Sequence, residues 1–521
     1  MKQSHPGISL PIYRLVLLLL FAAGLLFYNL IQLHHDVAWY VYCNFRQLEG
    51  IRPYIDIIEV SPPITFYLTL LPVVVSAVTG LPVKFCVTFF VLALSAISLL
   101  LAMSFDKMAS PGERRWKTIA IAAVMLIVPV AVFGQREHFA VILGLPYFYA
   151  SAARLRGMEV KPGTAIIAGL MAGIGLSIKH YFLLAPLMVE AYLIFATGSL
   201  RVLFRWEIYA ATAAGLLYAT FVLLVHPEYL SVSVPLILAA YSAYTLPLWL
   251  VAAQPAALPM ILGIGFFFLA RRYIGQVGSA DLLFVAALAF AACYFWQGKG
   301  WAYHALPANL TLAIASVELA SLTLADRASA RKISVRQRYT LPLAPLLLIF
   351  LQTAQSGYYR NQFAEDAVGY VKRYAEGGNV FMMSSNLSTG FPLVLDSGAR
   401  WASRYATQWL LPEILRGRQM EATLNEKRRT ELAWLARIDF DSTVEDFEKL
   451  RPALVFVDLT YQDRPTRIYN GISVDMIAYY IQDRRFAEIW QQYEKVDTIS
   501  SFLSDESRRF DVWVRRSPQQ Q

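Results

Sequence analysis

The sequence predicts a polytopic α-helical membrane protein that carries a soluble α/β domain at its C-terminal end. Three observations lead there. Of the 521 residues, 57% are hydrophobic and only 16% are charged, against about 25% charged in an ordinary soluble domain. The apolar excess falls into long runs, many close to the roughly 20 residues that a membrane-crossing helix needs. From Ser356 onward the runs stop, and the composition becomes that of a packed globular domain. The expected division is a membrane domain over 1–355 and a soluble domain over 356–521.

The first run, Val16 to Leu33, follows Lys2 and Arg14 and has no small-residue cleavage site before its polar flank. It reads as an uncleaved first span rather than a secretory signal. The runs place spans at 12–33, 83–104, 117–133, 139–154, 163–178, 181–197, 207–225, 246–270, 281–296, 302–323 and 340–355, about eleven in all. Segment 63–80 is apolar too, but Pro62, Pro63 and Pro72 make it read as an interfacial or re-entrant piece.

The net charge of +9 does not indicate nucleic acid, because the basic residues sit in short clusters between apolar runs. One set of loops holds Lys107, Arg114, Arg115 and Lys117; Arg154, Arg156 and Lys161; Arg201 and Arg205; Arg271 and Arg272; and Arg327, Arg331, Lys332, Arg336 and Arg338. The positive-inside rule puts this set in the cytoplasm. An odd number of spans then sends the C-terminal domain to the outer side. The three cysteines, Cys43, Cys86 and Cys293, form no CxxC pair, so no disulfide framework or thiolate metal site is expected.

The opposite loops are poor in simple basic stretches but rich in chemistry. They read HHD at 34–36, QREH at 135–138, KHY at 179–181, HPEY at 226–229 and QGKGWAYH at 297–304. Of the seven histidines, all except His5 fall in them. Ionisable groups near a bilayer are costly and are usually kept for function. The plainer reading of any one loop is contact with lipid headgroups, but five such loops on one face weigh against it.

The first outer loop is long, about 34–82. Asp36 stands where the chain leaves the membrane. Val37 to Leu48 is aromatic and amphipathic, which predicts an interfacial helix ended by Gly50. Then come Arg52-Pro53-Tyr54, Asp56, Glu59 and Pro62-Pro63. An Asp after the first span, an aromatic helix and then G-x-x-P-Y-x-D-x-x-E-x-x-P-P resembles the GT-C superfamily of membrane glycosyltransferases. The likeness is strongest to the branch of protein O-mannosyltransferases and bacterial aminoarabinose transferases. Asp36-Val37 replaces the Asp-Glu of many relatives, and Ser61 stands where some have Lys.

The resemblance implies a polyprenyl-phosphate-sugar donor, work on the periplasmic or lumenal side, and an inverting transfer to a lipid, glycan or protein hydroxyl of the cell envelope. It also implies a multi-pass protein of the bacterial inner membrane whose C-terminal domain is periplasmic and caps the site. Such chemistry needs a carboxylate to take the acceptor proton and cations to stabilise the leaving phosphate. Asp36 is the expected general base, with capping of the following helix as its rival role. Asp56, Glu59 and His35 are expected to orient the acceptor or assist the base. Lys299, between Gly298 and Gly300, is the leading candidate for the phosphate, with His304, Arg136, His138, Lys179 and His180 as companions. Each of these alone could instead snorkel to headgroups. No obligatory metal is expected, since Glu137, His138, Glu59 and His34 match no recognised metal spacing; a divalent ion is the secondary expectation.

In the soluble domain the sequence predicts a helix at 360–376, strands at 379–384, 392–395, 453–458, 498–503 and 510–515, and helices near 405–418, 424–437 and 473–483. No phosphate loop or nucleophile elbow appears there. Trp401, Tyr405 and Trp409 are candidates for stacking on sugar, with core packing the plainer role. The Asn386-Leu387-Ser388 sequon reads as chance. The competing function is a transporter or flippase of lipid-linked glycans. It should show inverted repeats and charge near the midplane, and the sequence has no internal repeat.

Overall fold

A computed structural model describes residues 8–273, 278–324, 335–464, 466–503 and 506–516. The chain divides into two compact units that do not follow its linear order. One comprises Met1–Ile31, Val74–Phe221 and Leu246–Tyr359; the other comprises Gln32–Val73, Val222–Thr245 and Arg360–Gln521. The long first loop therefore belongs to the same unit as the C-terminal domain.

Among the described residues, six helices are long and apolar enough to cross a membrane: Leu10–Leu30, Val83–Phe105, His180–Thr197, Trp206–Val225, Ser279–Gln297 and Ala302–Leu322. Shorter apolar helices cover Ile64–Thr79, Pro162–Leu176, Tyr229–Tyr244 and Thr340–Ser356. Segment 63–80 is thus one continuous helix despite Pro72. The expected 246–270 span is two pieces, Leu248–Ala252 and Ala257–Tyr273, because Pro255 interrupts it. Tyr229–Tyr244, not expected from the sequence, opens on a π turn at Tyr229–Ser233. Arg327, Arg331 and Lys332 of the last basic loop lie outside the described residues.

The helical unit is built around Arg136–Leu155, whose residues are buried from Arg136 through Ala153. Other helices turn Leu18, Leu26, Phe195, Leu216, Leu217 and Leu224 outward, as contact with lipid requires. Small residues let helices approach closely. A Cβ on Gly169 would lie 2.3 Å from the Glu207 carbonyl oxygen, and one on Gly173 would lie 2.6 Å from that of Ala211. This Gly-x-x-x-Gly face brings Pro162–Leu176 against Trp206–Val225.

Several basic residues that read as simple loop charges are in buried ion pairs. Lys117 joins Asp106 and lies 3.0 Å from Glu318. Glu318 also accepts from Tyr149 at 2.6 Å and Ser279 at 3.0 Å. Arg205 pairs with Glu190 and Glu207, and Arg154 reaches Glu207 at 3.1 Å.

The C-terminal domain has a five-stranded sheet in the order β2-β1-β3-β5-β4. The strands are β1 (Asn379–Met383), β2 (Arg400–Trp401), β3 (Leu454–Asp458), β4 (Tyr493–Leu503) and β5 (Glu506–Arg515). β1 pairs in parallel with β2 and β3, while β5 runs antiparallel to both β3 and β4. Side chains alternate across the sheet. On one face Phe363, from the Gln362–Tyr374 helix, meets Phe456 and Phe510. On the other, Phe381 meets Phe447 of the Glu426–Leu450 helix. The strand expected at 392–395 is instead a helix, Leu393–Ser397, closed by Gly398 at φ +68°. Trp401, Tyr405 and Trp409 are buried, Tyr405 and Trp409 within the domain core. Asn386 caps a short helix by accepting from the Ser388 N–H.

Two stability outcomes follow. Gly169→Leu should cost about 1–3 kcal/mol through overpacking, read as a lower melting temperature in detergent; an unchanged melt would show that the close approach is dispensable. Burial pushes the Asp439 carboxyl up to about 7, against the Tyr480 and Tyr479 hydroxyls and Arg418. The folded state then holds a proton that the unfolded state releases above about 4, so stability falls as pH rises from about 4 to 7. Asp439→Asn should remove that slope and raise the melting temperature at pH 8; a parallel pH profile would refute the assignment.

Candidate active site

The sequence-predicted residues fall into two groups, one in each compact unit. In the unit of the first loop, His35–Leu48 forms the expected aromatic helix. Its N-cap is His34, not Asp36: the Asp36 N–H donates to His34 Nδ1 at 3.3 Å. An imidazole is an unusual cap where Ser, Thr, Asp or Asn is preferred. Asp36 itself lies within the first turn, 8% exposed, where the helix dipole favours its negative charge. His35 Nε2 approaches Asp36 Oδ1 at 3.8 Å, and the His34 and His35 rings lie 3.9 Å apart.

His34, His35 and Asp36 also place one ligand-type atom each within 4.8 Å of one another. As arranged they fit a metal poorly. Because His34 Nδ1 accepts a hydrogen bond, the proton of the neutral ring is on Nε2. Ligation through either nitrogen would end the cap.

Glu59 is buried and engaged through both carboxylate oxygens. Its Oε2 accepts from Trp39 Nε1 at 2.6 Å, and its Oε1 accepts from the Ser61 N–H at 2.9 Å and the Tyr40 hydroxyl at 3.2 Å. It ties the aromatic helix to the loop that follows. Asp56 is exposed and closes a turn, accepting from the Arg52 N–H at 2.8 Å and its guanidinium at 3.3 Å. Partial burial raises its pKa, but these Arg52 contacts outweigh it and hold the carboxyl below its usual range. His226 of HPEY belongs to this same unit, its Nε2 2.8 Å from the Tyr67 hydroxyl and its ring 5.6 Å from that of Tyr54.

In the helical unit the structure brings together QREH, KHY and QGKGWAYH. Arg136, Glu137 and His138 open the most buried helix. Lys179 pairs with Glu137 and donates to Gln297 Oε1 at 3.3 Å, which also accepts from Tyr181 at 2.7 Å. Lys179 and Arg136 lie 5.6 and 5.9 Å from the Tyr303 ring centroid. His304 Nε2 stands 4.0 Å from Glu137 Oε1. Lys299 is half-buried, its ammonium 4.8 Å from the Trp301 ring. Burial, and then the charges of Lys179 and Arg136, push that ammonium well below its ordinary pKa. The two glycines beside it have local reasons to be glycine. Gly298 ends the preceding helix at φ +62°, and a Cβ on Gly300 would lie 2.7 Å from Gln254 Cγ. His138 is turned inward: it is fully buried and its Nδ1 accepts from the Gly134 N–H at 3.4 Å. His180 is half-buried, its ring 4.8 Å from that of Tyr181.

Sequence reasoning missed Glu137 as part of this cluster, although it stands between two residues that were singled out. It also missed Tyr303 and the capping role of His34. The cluster gathers three cations and one carboxylate with aromatic faces, a set suited to an anion that arrives with an apolar or ring-shaped body.

No family model matches the chain, and no curated protein matches it in sequence. It is similar to the solved structure of ArnT from Cupriavidus metallidurans bound to undecaprenyl phosphate, at 11% identity and a TM-score of 0.48, over 96% of this chain and 97% of that one. It is similar to the archaeal oligosaccharyltransferase AglB from Archaeoglobus fulgidus at 11% identity and a TM-score of 0.45, over 90% and 72% of the two chains. It is also similar to the arabinofuranosyltransferase AftD from Mycobacteria at 10% identity and a TM-score of 0.43, over 98% of this chain and 40% of that one.

The cap assignment has a direct check. His34→Ala should lower the protection of the first-turn amides of His35–Leu48 by about 1 kcal/mol in hydrogen exchange, while His34→Asn should keep it. Equal protection in the alanine variant would remove His34 from that role.

Proposed function

We propose that this chain is an integral membrane glycosyltransferase that moves a sugar from a polyprenyl-phosphate donor to an acceptor hydroxyl at the outer face of a bacterial inner membrane. The observation that carries the reading is the gathering of Arg136, Lys179 and Lys299 in the helical unit. The first-loop sequence around Asp36 supports it from the other unit.

The step balances with few parts. The acceptor O–H gives its proton to the Asp36 carboxylate, and the freed oxygen attacks the anomeric carbon. The bond from that carbon to the phosphate oxygen breaks, and the phosphate leaves with the electron pair, one negative charge richer. Direct displacement inverts the anomeric centre. The cations meet the charge that develops on the phosphate, and Lys serves there as a compact point charge. A lipid monophosphate carries less charge than a nucleotide diphosphate, so protein cations suffice in this scheme. Asp56 and Glu59 are already engaged by Arg52 and by Trp39, Tyr40 and Ser61, which supports a role in shaping the loop. The soluble domain is assigned to the periplasmic side and to acceptor recognition.

The test is transfer by the purified full chain across a panel of polyprenyl-phosphate sugars and envelope acceptors. Asp36→Asn should lower turnover by about 10²–10⁴-fold, the usual contribution of a general base, with donor binding retained. Full activity in that variant would sink the base assignment. Absence of both transfer and donor hydrolysis with every lipid would instead favour transport.

A further inference from the structure

A carboxylate is an unexpected neighbour for a phosphate site, yet Glu137 sits among its cations. It is fully buried, in the first turn of the Arg136–Leu155 helix, where the dipole favours a negative charge. Oε1 takes the Lys179 ammonium and lies 4.0 Å from His304 Nε2. Oε2 is buried with no hydrogen-bond partner among the described residues, and so is Nδ1 of His304. Lys179 is held from other sides as well, by Gln297 Oε1 at 3.3 Å and by the ring faces of Tyr181 and Tyr303 at 5.6 Å each. Its ammonium therefore has one defined place.

A buried ion pair kept only for stability is a poor choice, because well-packed apolar residues commonly do as well. This pair stands where two other cations gather, and the unsatisfied buried atoms of Glu137 and His304 call for an explanation that packing alone does not give. We propose that Glu137 is a positioning residue that fixes the Lys179 ammonium for the polyprenyl phosphate. The inference rests on the phosphate reading of the cluster given above. Glu137 acts through Lys179: it sets where the charge is and lessens the repulsion among the three cations while no phosphate is present.

The experiment measures binding of undecaprenyl phosphate to the purified full chain in detergent, with melting temperature recorded for each variant. Lys179→Met should weaken binding about tenfold, the lower range for a lost bond to a charged group. Glu137→Gln should weaken it to a similar degree, and the double variant should be no weaker than either single. Glu137→Asp, which keeps the charge, should recover most of the loss; it also serves if Glu137→Gln does not fold. Unchanged or tighter binding by Glu137→Gln would overturn the proposal. So would losses that multiply in the double variant, because the two residues would then act independently. Wild-type binding by Lys179→Met would instead overturn the phosphate reading itself, and the proposal with it.

Discussion

An ammonium inside an apolar helical unit persists only with a counter-charge at hand, and the pairing of Lys179 with Glu137 meets that condition at the start of the most buried helix. Much else depends on it. Gln297 is drawn in to share Lys179, Tyr181 is held by the same Gln297 oxygen, and Tyr303 lies under both Lys179 and Arg136. Three loops far apart in sequence are joined by one ion pair and its neighbours. The Lys117 system with Asp106 and Glu318 follows the same rule, but its groups are satisfied by one another and by Tyr149 and Ser279. The Lys117 network is closed, whereas the Lys179 network retains unsatisfied buried atoms on Glu137 and His304, as the Arg205 pairing does on Glu190 and Arg205; what sets the Lys179 network apart is the gathering of Arg136 and Lys299 beside it.

In the unit of the first loop, Glu59 and Asp36 are held in different ways. Glu59 is bound through both oxygens by an indole, a hydroxyl and a backbone N–H, and so holds the aromatic helix to the loop. Asp36 stands at the helix start, with His35 Nε2 3.8 Å from its Oδ1. His34 accepts from its N–H, and the helix that begins there is packed by Trp39 and Tyr42 against Phe391. Tyr42 also accepts from the Trp401 N–H. The carboxylate position is thus set by the cap and by the C-terminal domain, which accounts for the first loop and residues 360–521 forming one unit.

What the sequence made legible was whatever stands out against an apolar background. QREH, KHY and QGKGWAYH were conspicuous because charge is rare near spans, and three of the five outer loops do meet in the helical unit. Their separation from HHD and HPEY was not legible, because it depends on tertiary packing that no spacing encodes. Lys117, Arg154 and Arg205 were read as topology markers; a basic residue at a span end looks the same whether it faces water or a buried acid. The misread strand at 392–395 has a physical cause. Leu393-Val394-Leu395 has β propensity, but Pro392 before it and Gly398 after it are the start and stop residues of a short helix, and they prevail. The aromatic helix after Asp36 was legible from its amphipathic pattern, whereas a histidine cap was not, since capping statistics favour other residues.

The chemistry of the cluster also bears on why its lysines differ. Lys179 is paired with Glu137, whereas burial, and then the charges of Lys179 and Arg136, push the Lys299 ammonium below its ordinary pKa. An anion close to Lys299 reverses that push, because opposite charge favours the ionised form. In the proposed reaction the phosphate gains one negative charge as the sugar leaves, and a cation beside it then interacts with it more strongly. Cations that meet a charge growing on the phosphate in that reaction favour the transition state over the bound donor.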